Sequence, residues 1–472
     1  MIRSFQISFI LCLAIFWAGT DNVSFSQDSL QTLGFDDYMT IVKKNHPLAK
    51  SAELKIEIGE AELLKSRGAF DPKAYTDMNQ KYFKDDQYYS LLDAGLQIPT
   101  WFGIELYSGF EQTGGINLNP ERITPDNGLV YAGISVPLGK DLFIDERRNQ
   151  LKQAKIYREI TREDQRILLN KLLYSASNAY WDWFAAARSL SVYTEAVEIA
   201  RIRFEGVKAN ALAGDAPFID TVEALIQYQN RQISLQQAQL EYDNKSALLN
   251  VYLWDEKEVP LEISDRIKAP STEDVLSVIR EVSEAERLDS LVGNHPEIVK
   301  AKLEVDQLEI QRRWNIEQLK PTLDLKYNAL NEPINGNVIE GYTVNNYNWG
   351  LTFSMPLFLR KSRGELNKTK VMIQDQKFQI ENSTAYIRYT AQAALNTWKN
   401  TGQQLEIYTR NVNNTEKLLD GERQKFNVGE SSLFLVNSRE MSYINAQINY
   451  LKLISENQQS FITVKYTLGL LN

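Results

Sequence analysis

Histidine and cysteine, two side chains that often act as bases, nucleophiles or metal ligands at neutral pH, are scarce in this chain. The 472 residues include two histidines and one cysteine. Both histidines, His46 and His295, stand in the tripeptide Asn-His-Pro, and proline is favoured at the first position of a helix. We therefore interpret them as helix caps in preference to metal ligands or bases. Cys12 lies in an apolar N-terminal segment, so removal of that segment would leave no thiol for catalysis or zinc binding.

The acidic residues are numerous, but their arrangement does not indicate an active site. The 61 Asp and Glu residues permit a glycosidase-like pair somewhere, yet most fall on solvated helix faces. No Gly-rich loop that could hold a phosphate precedes a helix. A net charge of -9 argues against nucleic acid as a partner, since phosphate contacts need clustered Lys and Arg. The sequence thus predicts no catalytic, cofactor-binding or metal-binding residues, and an enzyme is the most distant alternative.

The N-terminal segment 1–26 is typical of a secretory signal peptide. Arg3 precedes the apolar run 9–19, and residues 24–26 (Ser-Phe-Ser) offer a cleavage site between small residues. The alternative, a membrane anchor, needs ~20 apolar residues. The mature chain then begins near Gln27.

The helical part of the sequence occurs twice, with a constant offset between the copies. The repeated positions are Tyr174, Ala176, Ala179, Trp183, Leu190 and Tyr193 in the first copy and Tyr389, Ala391, Ala394, Trp398, Leu405 and Tyr408 in the second. A constant offset means that two long helices and the turn between them have equal lengths in both copies. A repeat of this size is too long for a solenoid unit. We interpret it as a duplicated half-domain that closes a pseudo-symmetric object.

Each copy begins with a helix and continues with strands. Pro47 and Pro296 start the helices, which should end near Gly68 and Pro321. Apolar and polar residues then alternate over 323–327 and 351–355, and one strand face carries Val130, Ala132, Ile134 and Val136. The first copy has a longer interval here, where Phe102, Ile104 and Leu106 indicate an additional hairpin.

Long helices follow the strands, at about 141–208 and 361–423, where apolar residues recur every three or four positions. At ~1.5 Å per residue such helices extend ~100 Å and must pack in an elongated bundle. Gly214 and Gly429 interrupt the pattern, and a second helix runs back from each. The prediction is two helical hairpins with equivalent turns. Trp181, Trp183 and Trp398 fall on these helices and are interpreted as core residues in preference to ligand-stacking platforms.

Aromatic residues also lie in or beside the strands. They are Trp101, Tyr107, Tyr131, Tyr342, Tyr347 and Trp349. An aromatic girdle at a bilayer interface is one interpretation of this set, and ordinary strand aromatics are the other.

In this order and duplicated, these features resemble the TolC-like outer-membrane efflux proteins over essentially all of the mature chain. The motifs that carry the resemblance are the two Asn-His-Pro helix starts, the strand ends Val136-Pro137-Leu138 and Met355-Pro356-Leu357, the turn at 426–433 (Phe-Asn-Val-Gly-Glu-Ser-Ser-Leu) and the C-terminal 466–470 (Tyr-Thr-Leu-Gly-Leu). The implied fold is mainly α with a small β part, built of duplicated strand-strand/long helical hairpin units. Three chains would form an α-helical tunnel and a twelve-stranded transmembrane β-barrel, with four strands from each chain.

The resemblance also implies a function, a location and partners. The chain would be the outer-membrane channel of a tripartite efflux or type I export system, conducting substrates passively from an inner-membrane RND or ABC pump. It would be a homotrimer in outer-membrane lipid that extends into the periplasm and meets a periplasmic adaptor, with no cofactor and no nucleic acid. The domains would be the signal peptide 1–26, a first repeat 27–254, an inter-repeat segment 255–293 and a second repeat 294–472.

The strand number is consistent with a trimer. Two strands per copy make four per chain, which cannot close a barrel or cover their own edges. Three chains would supply twelve, within the range of known membrane barrels. The rival from another class is a secreted or periplasmic helical scaffold or adhesin without a barrel.

Two sets of site residues follow from the resemblance. The two helical turns should form the periplasmic end that contacts the adaptor, through Gly214, Asp215, Val428, Gly429 and Ser432. The alternative is that they are free, solvated turns. In the family, acids six and nine residues after the second turn glycine narrow the tunnel, but here those positions are Leu435 and Ser438. The equivalent positions of the first copy are Asp220 and Glu223, one helical turn apart. They are the candidates for a carboxylate gate; the alternative is that they are ordinary charges at a helix N-terminus.

Overall fold

The computed structural model describes residues 31–471 except 216, 265, 278–287, 335 and 338, so the predicted signal peptide lies outside the described residues. The elements of the first copy are β1 (Gln31–Thr32), α1 (Phe35–Asn45), α2 (Pro47–Arg67), β2 (Lys73–Phe83), β3 (Asp86–Pro99), β4 (Glu105–Gly114), β5 (Leu129–Pro137), α3 (Glu146–Ala213) and α4 (Phe218–Asn250). The remaining elements are β6 (Ile267–Lys268), α5 (Thr272–Ser277), α6 (Leu288–Gly293), α7 (Pro296–Glu317), β7 (Thr322–Asn331), β8 (Tyr347–Ser354), α8 (Arg360–Asn427) and α9 (Leu433–Thr467).

The duplicated Asn-His-Pro motifs start helices, as the sequence predicted. Nδ1 of His46 accepts a hydrogen bond from the N–H of Leu48 at 3.0 Å, and Nδ1 of His295 accepts one from the N–H of Glu297 at 3.2 Å. Pro47 and Pro296 occupy the first helical position. Each histidine thus satisfies a backbone donor that has no partner within its helix. The interpretation of both histidines as helix caps is confirmed.

His295 should make the fold sensitive to mild acid. It is 6 % exposed, and burial, together with the charge of Arg166, lowers its pKa from 6.5 to about 4. Between these two values only the unfolded chain binds the proton, so stability is complete above pH 6.5 and falls as the pH falls. We expect a loss of about 2 kcal/mol in the free energy of unfolding between pH 7 and pH 5. Denaturant unfolding of purified protein at the two pH values measures it.

The control variant is His295→Asn, because asparagine can also cap a helix but does not titrate in this range. It should lose most of the pH dependence and keep a smaller part from His46, whose pKa burial also lowers. An unchanged dependence in His295→Asn would contradict the assignment.

The long helices form the predicted hairpins. Helices α3 and α8 are each 68 residues long, which corresponds to ~100 Å. Helices α4 (33 residues) and α9 (35 residues) run back beside them. The equal lengths follow from the constant offset between the copies.

The main core lies midway along this bundle and is rich in aromatic side chains. Trp181 and Trp183 are 1 % and 0 % exposed, and they pack with Tyr38 of α1 and Tyr180 of α3. Trp398, the counterpart of Trp183, is only partly buried against the same cluster. The prediction that these tryptophans are core residues is confirmed, with the second copy buried less deeply.

Six of the described strands form one antiparallel sheet in the order β2-β3-β4-β5-β7-β8, and β1 and β6 form a separate parallel pair. The predicted strands at 130–136, 323–327 and 351–355 are present, and so is the additional hairpin, with its turn at residues 100–104. The expectation of four strands per chain was wrong, since six strands of the described residues join this sheet. The sequence did not indicate strand β2, because apolar and polar residues alternate only weakly along it. Its more apolar side carries Ala74, Thr76 and Met78.

The register of the sheet separates the predicted aromatic girdle into two sets. Trp349 pairs with Tyr327, which pairs with Ile134, so these three residues share one face. Tyr107 and Tyr131 are on the opposite, polar face, where Tyr131 donates to Asp93 at 2.8 Å and Tyr107 donates to Glu105. The inclusion of Tyr107 and Tyr131 in a girdle was therefore wrong, because strand alternation points them the other way.

Within the described ranges, none of the helices is both long enough and apolar enough to span a bilayer.

Candidate functional site at the tips of the helical hairpins

The two hairpin turns have the same backbone geometry. Gly214 has a φ of +86° and Gly429 one of +81°, a region that favours glycine. After each glycine the next residue bonds back into the helix: the N–H of Asp215 to the carbonyl of Asn210 at 3.0 Å, and the N–H of Glu430 to that of Lys425 at 2.8 Å. This pattern is a Schellman motif, which satisfies the last carbonyls of α3 and α8. A short turn then leads into α4 or α9.

The tips expose apolar side chains to solvent. Leu212 is 77 % exposed, Phe218 72 %, Val428 72 % and Phe434 66 %. Ser432 caps α9, accepting a hydrogen bond from the N–H of Leu435 at 3.3 Å. Exposed apolar groups gathered at one end of a molecule are typical of an interaction surface. The turn residues named from the sequence therefore have apolar neighbours that the sequence reasoning missed.

A sequence signal for these neighbours was available. Ile219 and Phe434 occupy equivalent places in the two copies, at the second position of the return helices. Both are exposed, so neither continues the buried stripe of its helix. An apolar residue repeated in both copies outside that stripe indicates a role other than packing within the chain.

The first-copy gate candidates lie in the first turns of α4. Asp220 is half-buried, and its backbone N–H donates to the carbonyl of Pro217 at 3.1 Å. Glu223 is half-buried and accepts a hydrogen bond from Nδ2 of Asn437, on α9, at 3.3 Å. One of the two candidates thus connects the first hairpin to the second.

The second-copy candidates are more exposed. Leu435 is 39 % exposed in the first turn of α9, and Ser438 is exposed one turn later. Of the four candidates, Glu223 is the one with a described hydrogen bond between α4 and α9, and Ser438 directly follows its partner Asn437 in the chain. Asp220 has no contact with them among the described hydrogen bonds.

A buried ionic cluster joins the hairpins near their tips. Arg203 on α3 binds both carboxylate oxygens of Glu440 on α9, at 2.7 and 2.8 Å, and Asn437 at 2.9 Å. Arg423 on α8 reaches Glu440 at 3.2 Å. Arg203 precedes its turn glycine by eleven positions and Glu440 follows its own by eleven, which places the cluster ~16 Å from the tips.

The cluster contains more cations than carboxylates. Glu440 is 4 % exposed and Arg231 of α4 is 1 % exposed, with one guanidinium nitrogen 3.2 Å from the sulfur of Met441. Burial alone would raise the pKa of Glu440, but the hydrogen bond from Arg203 and the charges of Arg203, Arg231 and Arg423 lower it. Glu440 is therefore the buried carboxylate nearest to all three arginines, and Arg423 also reaches the exposed Asp420 at 3.7 Å.

A comparison of the two copies in the sequence could have indicated this ionic cluster. At the constant offset between the copies, Arg203 corresponds to Leu418 and Glu440 to Leu225. A charge in one copy at an apolar position of the other indicates a buried charge, which needs a partner of opposite sign. No pattern within one copy could identify that partner, because it lies 237 residues away.

Among the described residues between 31 and 471, no group of three or more His, Cys, Asp and Glu side chains is placed to hold a metal ion.

Comparison with known proteins relates this architecture to outer-membrane channels. Residues 288–470 match the family model described as outer membrane efflux protein. The fold is similar to that of the CmeC outer membrane channel of Campylobacter jejuni, with 13 % identity and a TM-score of 0.63 over 95 % of this chain and 90 % of that one. No protein of curated function is significantly similar in sequence.

Two further solved structures are similar over nearly their whole length. The outer membrane protein VceC of Vibrio cholerae has 12 % identity and a TM-score of 0.64, over 92 % of this chain and 95 % of that one. The MtrE outer membrane channel of Neisseria gonorrhoeae has 13 % identity and a TM-score of 0.65, over 95 % and 94 %. The family match thus covers residues 288–470, and the fold over nearly all of the chain is shared with these outer-membrane proteins.

Proposed function

We propose that this protein is the passive outer-membrane channel of a tripartite export system, acting as a homotrimer. The observation that carries the proposal is the continuity of two parts in one chain. A sheet with one apolar face and two open edges leads directly into helical hairpins ~100 Å long. The sheet would cross the outer membrane and the hairpins would enclose the periplasmic passage. An inner-membrane pump of the RND or ABC class would supply the energy and select the cargo.

Fractionation combined with conductance tests the proposal. Full-length protein should appear in the outer membrane as a heat-modifiable trimer and, after purification, form ion-conducting pores in planar bilayers. A soluble periplasmic monomer without conductance would overturn it and favour the helical scaffold instead.

We place the adaptor contact at the two hairpin tips. These tips are the ends of the long helices furthest from the sheet, and they expose Phe218, Val428 and Phe434. Such side chains suit the apolar stripe of a helical partner, which packs against small and apolar residues. The turn glycines contribute backbone geometry, and Asp215 and Ser432 end and start the adjoining helices.

Charged substitutions at the tips should abolish export without affecting assembly. A strain that lacks the gene should first be tested for the toxic compounds to which it has become sensitive. We expect cells with the Val428→Glu/Phe434→Glu variant to be as sensitive to those compounds as the deletion strain. Both side chains are largely exposed to solvent, so the fold should tolerate the change. Trimer formation in the outer membrane and bilayer conductance should stay at the parent level.

The matched control is Ile339→Glu, at a 77 % exposed apolar residue in the loop between β7 and β8, at the opposite end of the molecule. It should leave export unchanged. Full resistance in the tip variant would refute the contact.

We further propose that Asp220 and Glu223 line the periplasmic entrance and favour cations. Three copies of each would bring six carboxylates to a narrow aqueous passage, where they attract cations and repel anions. The position of Glu223 against Asn437 supports this, since it holds the carboxylate where the two hairpins of one chain meet. Leu435 and Ser438 would form the uncharged part of the same entrance.

The conductance of Asp220→Ala/Glu223→Ala trimers tests the gate. We expect a loss of cation selectivity and of block by divalent ions. The control is Asp243→Ala, which removes an exposed carboxylate further along α4. Selectivity equal to the parent in the double variant would leave Asp220 and Glu223 as ordinary charges near a helix N-terminus.

A further inference from the structure

The sheet ends in two open edge strands. Strand β2 pairs only with β3 and strand β8 only with β7 within the described part of the chain. All eight residues of β8 are exposed, and so are all but one of the eleven residues of β2. Unpaired N–H and C=O groups along a strand are costly wherever water is absent. Both edges therefore need partners in a membrane.

The hairpin of β2 and β3 has one apolar and one polar face, like the other strands of the sheet. Following the register across the sheet, one face carries Met78, Leu92, Ala94, Leu96, Ile98, Leu106, Phe110, Ile134, Leu325, Tyr327, Trp349 and Leu351. The other face carries Asp77, Asn79, Asp93, Gln97, Tyr107, Gly133, Ser135, Lys326, Asn328, Asn348, Gly350 and Thr352. An apolar outside and a polar inside are characteristic of strands in a membrane barrel. Strands β2 and β3 thus have the same inside and outside as β4, β5, β7 and β8.

The extra strands are also tied into the curve of the sheet. On the polar face the hydroxyl of Tyr75 on β2 hydrogen-bonds to that of Tyr131 on β5, across the two intervening strands. Glycines lie beneath these rings: a Cβ at Gly95 would approach the Tyr75 hydroxyl to 3.0 Å, and one at Gly109 the Tyr131 hydroxyl to 2.5 Å. Contact between strands three places apart requires a sheet that curls toward its polar face. The hairpin is therefore part of the curved wall.

We infer that β8 of one copy pairs with β2 of the next, and that three copies close an eighteen-stranded barrel. This inference rests on the proposed trimeric channel. Strand β2 leaves the helical side of the molecule after α2, and β8 returns to that side before α8, so the new pair is antiparallel like every other pair in the sheet. Each edge meets the other kind of edge, which is a head-to-tail contact that closes into a ring.

The consequence is a wider pore than four strands per chain would form. Barrel diameter grows roughly linearly with strand number, so eighteen strands give a barrel about 1.5 times as wide as twelve. Strand β4 cannot serve as the edge that meets a neighbour, because β3 and β5 already pair with both of its sides.

Disulfide cross-linking between edges tests the inference. The only native cysteine, Cys12, lies in the predicted signal peptide. Any disulfide in the mature protein would therefore involve the introduced cysteines. Thr352→Cys on β8 would be combined in turn with Asp77→Cys and Asn79→Cys on β2, all on the polar face. Oxidation of full-length protein in outer membranes should give covalent dimers and trimers, with at least one β2 position cross-linking efficiently, since disulfides form only at short Cβ separations.

The competing arrangement supplies the matched control. If the hairpin of β2 and β3 left the wall on assembly, β8 would meet β4 of its neighbour, and Thr352→Cys would cross-link to Tyr107→Cys or Glu111→Cys. That result in heat-modifiable, conducting trimers would overturn the eighteen-stranded barrel and leave the channel function intact. If every variant gave only monomers and the parent protein did not conduct ions, both the eighteen-stranded barrel and the proposed channel function would be overturned.

Discussion

Glu440→Ala should destabilise the hairpin tips more than any other single charge removal in this region. Glu440 is the carboxylate that Arg203 and Arg423 both contact, and the nearby Arg231 is almost fully buried. Its loss leaves buried cations without a counter-charge, a change that typically costs about 3–5 kcal/mol. The effect should be local: amide hydrogen exchange should accelerate in the tip segments of α3, α4, α8 and α9, while the tryptophan core stays protected.

The control removes the pair together. Arg203→Met/Glu440→Met replaces two buried charges by apolar groups of similar length, which is often close to neutral. It should recover a substantial part of the stability lost in Glu440→Ala, the remainder reflecting Arg231 and Arg423. If the double variant is no more stable than Glu440→Ala, the ion pair is not what holds the hairpins together here.

Trp183→Ala should cost about 3–5 kcal/mol in the free energy of unfolding, because it empties a fully buried aromatic site. The ring packs at 5.7 Å, centroid to centroid, from Tyr180, within the cluster that joins α1, α3 and α9. The cavity lies where helices from both copies meet, so little collapse can fill it. Denaturant unfolding of the purified protein measures the loss.

The duplication provides the matched control for this position. Trp398 is the equivalent residue of the second copy and is only half-buried, so Trp398→Ala should cost clearly less. Trp183→Phe should also cost less than Trp183→Ala, since the indole N–H has no hydrogen-bond partner among the described contacts and phenylalanine keeps most of the ring. Equal losses at Trp183 and Trp398 would contradict the asymmetric burial.

The features that depend on neighbours in the chain could be predicted from the sequence. The Asn-His-Pro starts, the glycine turns and the equal hairpin lengths rest on local rules: proline is suited to a first helical turn, and glycine tolerates positive φ. The apolar face of β5 followed from alternation. Even the extra hairpin near Phe102 was visible, because it interrupts the correspondence between the copies.

Only the tertiary structure decided which distant segments pair. The number of strands between residues 73 and 137 depends on hydrogen bonds between strands, and β2 alternates too weakly to be recognised without its partner. The faces of Tyr107 and Tyr131 depend on strand register, since a shift of one residue exchanges inside and outside.

The gate candidates show the same division. Spacing placed Asp220 and Glu223 one helical turn apart, but it could not show that Glu223 meets Asn437 on the other hairpin. Likewise, the positions of Arg203 and Glu440 in the sequence do not predict their contact, because the burial of a charge depends on the side chains that pack against it. Local periodicity and turn residues thus determined the helices and turns of this protein. Pairing between segments far apart in the chain, which depends on non-local packing, determined its strand number and its ionic cluster.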